Sequence, residues 1–209
     1  MNILFLTDEI RATSGVTTHI HNLLEALSRR QGNHYYLICG SLTDKDKFTD
    51  LNVQVIENPD FKHENRSLRH FFKALIFLRQ FCRKNKIDII HSHTHYAANI
   101  AYHTSYTVNV ATIQTNHGIL HDSGRLDHFK ARQYVAINDH IYEYILSNKI
   151  ATRSNISLIR CGIPVPENLP DKNQAGKLKF LAASRFVRDK GIDLYIQAVG
   201  LLPEDYRAK

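Results

Sequence analysis

The chain alternates short apolar runs of strand length with longer segments whose apolar residues recur every three or four positions. That alternation restricts it to a parallel α/β sheet, because each parallel strand needs a crossover, usually helical, before the next. The first run, Ile3 to Thr7, is continuously apolar, as expected when both sheet faces are covered. A loop around Ser14-Gly15 leads to a predicted helix from about Val16 to Arg30, with Ile20, Leu23, Leu24 and Leu27 on one face. Further strands are predicted at Tyr35–Cys39, Val53–Ile56, Ile87–Ser92, Val108–Gln114, Tyr134–Ile137 and Ile156–Ile159. Helices are predicted at about Ser67–Asn85 and Asp139–Leu146.

The composition then changes. Gly162 to Gly176 holds three prolines and two glycines and reads as an interdomain linker. A single βα unit follows, with a strand over Leu178–Ala183 and a helix over about Lys190–Leu201. One strand cannot make a sheet, so the expected organisation is a domain over 1–161, a linker over 162–177 and the truncated opening of a second domain over 178–209. With 209 residues, 27 Lys+Arg against 20 Asp+Glu and 13 His, the +7 charge favours anionic partners without choosing among them. Nothing here reads as a nucleic-acid motif. No apolar run reaches membrane-spanning length, and three widely spaced cysteines (Cys39, Cys82, Cys161) fit a reducing, cytoplasmic setting better than a disulfide framework.

Five places could carry chemistry. Gly15, at a helix start after the first strand, either opens backbone N–H groups to an anion or serves a tight turn. The dinucleotide and P-loop glycine patterns are both missing. His91, His93 and His95 would share one face if their strand ran that far, at about 6.7 Å between neighbours. One zinc ion could then take an adjacent pair, with His117, His121 or Asp122 completing a hydrolytic site; the other reading is that they line a ligand cleft. His117, in Asn116-His117-Gly118 after a strand, could hydrogen-bond a hydroxyl, carry charge near neutral pH, or be structural. Arg185 and Lys190 flank a βα turn and suit a diphosphate, or are a solvated turn. The helix from Ser67 to Asn85 interleaves Arg69, Lys73, Arg79, Arg83 and Lys84 with aromatic residues, which fits a core helix or one lying on an anionic membrane.

The order of these segments resembles the retaining glycosyltransferases of family 4 (group 1). The matching stretches are Ser14-Gly15-Val16; Asp88 to His93; Thr115-Asn116-His117-Gly118; Tyr134 to Asn138; Ile156 to Pro164; and Ala183-Ser184-Arg185 through Asp193. The resemblance implies the GT-B fold, two Rossmann-like domains facing a cleft, of which this chain is the N-terminal half plus the start of the next. It implies a nucleotide-sugar donor, a glycan or lipid-linked acceptor, a place in polysaccharide biosynthesis, and no metal. It also assigns roles: Gly15 approaches the donor phosphates, His117 faces the transferred sugar, and Arg185 and Lys190 hold the departing diphosphate. The pattern departs from the family in having Ser14 before a single glycine and a short stretch between His117 and Tyr134. The family's paired glutamates (Glu-x7-Glu) would lie past Lys209, so the chain is expected to fold without transferring sugar alone. The other readings are a metal-dependent hydrolase using His91, His93 and His95, a non-catalytic sugar- or nucleotide-binding domain, and a GT-B sugar-nucleotide epimerase.

Overall fold

Each of the seven strands predicted in the first 160 residues contributes to one parallel sheet. The computed structural model describes residues 1–44, 46–118, 131–163, 165, 180–184 and 186–203. These fall in two compact units, Met1–Pro164 and Val165–Lys209. In the first, β1 (Asn2–Thr7), β2 (His34–Cys39), β3 (Val53–Glu57), β4 (Ile89–Ser92), β5 (Ala111–Asn116), β6 (Gln133–Ala136) and β7 (Ile156–Leu158) pair in the order β3-β2-β1-β4-β5-β6-β7. All six pairings are parallel. The order reverses between β1 and β4, the place where open α/β sheets leave a crevice at their strand ends.

Alternation along the strands divides the core. Leu4, Leu6 and Ile90 point to one face, where they pack with Ala74, Leu78 and Cys82 of α2 (Leu68–Lys84) and with Ala97, Ile100 and Ala101 of α3 (His95–Ser105). Phe5 and Leu37 point to the other, against Ile20 and Leu24 of α1 (Gly15–Ser28). A smaller cluster joins Tyr134 and Ala136 of β6 to Ile141 and Ile145 of α4 (Asp139–Ser147). Each fully buried Leu, Ile or Phe contributes roughly 1.5–3 kcal/mol, largely offset by chain ordering. Ser14, Ser67 and Asn138 cap α1, α2 and α4 by accepting from Thr17, His70 and Ile141 backbone N–H groups.

Three expectations are corrected. Helix α3 escapes the sequence reading because seven of its eleven residues are buried, on more than one side, so no polar stripe marks its period. Strand β4 begins at Ile89 and not Ile87: Lys86 takes a left-handed φ of 50°, and the Ile87 N–H closes the end of α2 on Cys82 O at 3.0 Å. Phe180–Ala183 is not a strand, and no strand among the described residues pairs with it to complete a ladder; Leu178 and Lys179 lie outside the described residues. The second unit does hold its helix, α5 (Ile192–Gly200), entered through a 3-10 turn over Arg188–Lys190 and Gly191 at φ 61°.

No cysteine is in a disulfide; Cys39 and Cys82 are buried, and burial pushes both thiols up to about 12. Among the described residues no helix is long and apolar enough to cross a membrane.

Candidate functional site

The crevice at the switch point is bounded by the ends of β1, β4 and β5 and by the start of α1. Gly15 is the first residue of that helix, and a methyl group placed on it would meet nothing within 4 Å. Its backbone is not in the left-handed region, where only Gly32 and Gly191 among the described glycines lie. Neither conformation nor packing therefore asks for glycine here. What glycine does is leave the first residue of the helix without a side chain over its backbone; the Thr17 N–H is taken by Ser14, and no acidic side chain lies in the first turn.

Four histidines converge beside this helix. Register sets Phe5 opposite His91, and His91 opposite Ile113, so His91, Thr115 and the residues that continue their parity share the α1 face. His93 stacks on Phe5 with ring centroids 5.7 Å apart, and His91 lies 4.4 Å from His93. His91 Nε2 meets Thr115 Oγ1 at 2.7 Å, and His93 Nδ1 meets His117 Nε2 at 3.2 Å. The fourth member, His19, comes from α1, its ring centroid 4.8 Å from His117 and 5.5 Å from His93. Its Nδ1 contacts Cys161 Sγ at 3.3 Å. His19 has no signal of its own in the sequence: helical period places it on α1 but cannot say that this edge of α1 faces β4 and β5.

Burial governs how these rings titrate. It lowers His91 to about 3 and His117 to about 4, with neighbouring histidines adding repulsion, and it holds His93 well below the ordinary value. His19 is lowered by the same cause. All four are neutral imidazoles near neutral pH, which corrects the expectation that His117 could be charged there. Burial also raises the carboxyl of Asp8, just past β1.

The strand ends carry a second mark. Thr7 Oγ1, Ser92 Oγ, His93 Nε2, Thr94 Oγ1 and Asn116 Oδ1 are buried without a hydrogen-bond partner among the described residues. All five sit at or just past the C-terminal ends of β1, β4 and β5. An unmatched buried polar group costs about 1–3 kcal/mol unless water or a ligand satisfies it, so these strand ends hold polar capacity that a bound group can use. A cleft of about 420 Å³ begins at His19 and runs between α1 and Ile159–Ile163, lined by Asn22, Arg29 and Arg160 among others.

The three-histidine set of the hydrolase reading is not assembled. Strand β4 stops at Ser92, His95 becomes the first residue of α3, and its Nδ1 meets Gln114 Nε2 at 3.1 Å. His121, Asp122 and Arg185 lie outside the described residues. Lys190 is exposed at the end of the 3-10 turn of the second unit.

The model of glycosyltransferase family 4 matches residues 13–166, most of the chain and all of the crevice apart from β1. The chain belongs to glycosyltransferase family 4. Solved structures with the same fold include the lipopolysaccharide outer core galactosyltransferase WaaB in its apo form, at 16% identity and a TM-score of 0.67, covering 95% of this chain and 57% of that one. A glycosyltransferase from Rickettsia africae ESF-5 shows 16% identity and a TM-score of 0.60, over 76% of this chain and 42% of that one. HepE of Anabaena in complex with UDP shows 14% identity and a TM-score of 0.58, over 78% and 44%. This family 4 chain thus spans about half the length of these structures, and its sheet is the N-terminal Rossmann-like half of a GT-B fold. Comparison with the curated protein sequences gives no match.

Proposed function

We propose that this family 4 chain is the acceptor-side part of a retaining glycosyltransferase, moving a hexose from a nucleotide-sugar donor to a glycan or lipid-linked acceptor in polysaccharide synthesis. The observation that carries the reading is the crevice itself: five unmatched buried polar atoms at the strand ends, with His91, His93 and His117 from β4, β5 and their loops and His19 from α1 gathered beside the glycine that opens this helix. UDP and UDP-glucose are what HepE of Anabaena holds in its solved complexes, and a UDP-sugar is the donor class taken here.

In this proposal the donor phosphates approach the first turn of α1 over Gly15. His117, as a neutral imidazole, offers a ring N–H to a hydroxyl of the transferred sugar. Arg185 and Lys190 hold the diphosphate as negative charge builds on it, so transfer with retention at one face needs neither a metal ion nor a protein nucleophile. Arg185 and Lys190 are the donor-side groups that the resemblance assigns within residues 1–209, and no Glu-x7-Glu pair accompanies them, so this chain alone binds but does not turn over the donor. The exposed stripe Leu68, Phe72 and Ile76 on α2, flanked by Arg69, Lys73, Arg79 and Arg83, rests on an anionic membrane at the cytoplasmic face.

The test is UDP release from UDP-glucose and other UDP-sugars, with lipid and glycan acceptors, by the chain alone and by a longer protein in which it is joined to the donor-side domain of a GT-B glycosyltransferase. The longer protein is expected to transfer sugar and to lose about 100-fold or more in kcat on His117→Ala. Turnover by residues 1–209 that His117→Ala abolishes would overturn the division of labour. Free epimer formed without acceptor would replace transfer by epimerisation. Glycan binding with no donor use by either protein would make this a binding module.

A further inference from the structure

His19, His93 and His117 come from three different elements, yet each offers a ring nitrogen and these nitrogens lie within 4.8 Å of one another. The pair His93 Nδ1 and His117 Nε2 is 3.2 Å apart. In a tetrahedral site with metal–nitrogen bonds of about 2.0–2.1 Å, ligand nitrogens are separated by about 3.3 Å. One edge of such a tetrahedron is therefore already in place. His19 is half-buried on α1 and brings the third ring nitrogen within 4.8 Å of the other two.

Two further features favour a cation here. His93 is 2% exposed, and its ring is fixed by stacking on Phe5 and by the contact of its Nδ1 with His117 Nε2. Among the described residues no carboxylate belongs to the cluster, and three neutral nitrogens suit zinc, nickel or copper and not magnesium or calcium.

We propose that His19, His93 and His117 form a site for one divalent transition-metal ion of the zinc class, bound through three nitrogens with a fourth position left for water or an anionic oxygen. This set differs from His91, His93 and His95, because His95 is held by Gln114. The ion takes the ring nitrogen of His117, so where His117 serves sugar transfer the metal acts as an inhibitor. That consequence rests on the proposed function, whereas binding itself does not.

The experiment is calorimetric titration of the chelator-treated chain with zinc chloride, followed by dialysis and metal analysis, with cobalt(II) as a spectroscopic probe. About one equivalent is expected, with the intense visible absorption of tetrahedral cobalt. His19→Ala and His117→Asn, both at half-buried positions, are expected to weaken zinc binding at least about tenfold. His34→Ala, at the opposite end of the sheet, should leave it unchanged. Circular dichroism on each variant separates lost ligation from lost folding. Less than one equivalent on wild type, octahedral cobalt, or folded His19→Ala and His117→Asn variants that bind like wild type would overturn the site. Sugar transfer unaffected by a bound ion would refute only the inhibitory consequence.

Discussion

Acid should unfold this domain early, and the buried histidines set by how much. Unfolded, an imidazole takes up its proton near 6.5; folded, His91 does so only at about 3 and His117 at about 4. Between those values the unfolded chain binds more protons than the native one, so stability is fully present above the unfolded value and falls as pH falls. From about pH 7 to about pH 5 the loss is about 2 kcal/mol per histidine, at roughly 1.4 kcal/mol per pH unit. Both folded values lie below that window, so the unfolded-state value alone sets this amount. His91 and His117 together remove about 4 kcal/mol, and His93 and His19 act in the same direction. Asp8, whose carboxyl is raised, opposes them only toward the lower end. Against a total stability of about 5–15 kcal/mol this is a large fraction. The assay is urea unfolding of the metal-free protein, followed by circular dichroism at the two pH values, for wild type and His91→Asn. The variant should lose about 2 kcal/mol less between them. Equal stability at both pH values, or an undiminished drop in His91→Asn, would refute the argument that burial keeps these rings neutral.

Gly15→Ala has room for its methyl group and should leave the melting temperature unchanged or slightly higher, while weakening donor use in a UDP-release assay by about tenfold or more. A variant that is active and equally stable would mean that phosphates do not approach this turn. Gly40→Ala is the opposite case: its Cβ would collide with the backbone of Lys62 and the carbonyl oxygen of Asp8, so thermal unfolding should report a loss of about 1–3 kcal/mol or more. Phe72→Glu with Ile76→Glu, both at exposed positions of α2, should keep the fold and abolish cosedimentation with anionic liposomes. Equal pelleting of wild type with neutral and anionic vesicles would remove membrane contact altogether.

The parallel sheet was legible because strands covered on both faces are mostly apolar, and seven short runs rich in Ile, Val, Leu and Tyr stand out between more polar connections. Strict alternation also puts His91 and His93 on one face from sequence alone. What alternation cannot supply is where a strand stops. The chain turns into α3 after Ser92, which sends His95 to Gln114 and breaks the triplet that spacing suggested. Helix α3 itself stayed hidden because burial on several sides erases the amphipathic period. Gly15 and His117 could be picked out as residues after strands, but the sequence could not show that Gly15 is free of conformational need or that His117 is neutral. Those facts depend on what surrounds each group, as does the joining of His19 to His93 and His117. Pattern along the chain reports local conformation and burial, which each segment must satisfy by itself. Contacts between α1, β4 and β5 depend on how packed layers meet, and that is decided only when the sheet and its helices close on one another.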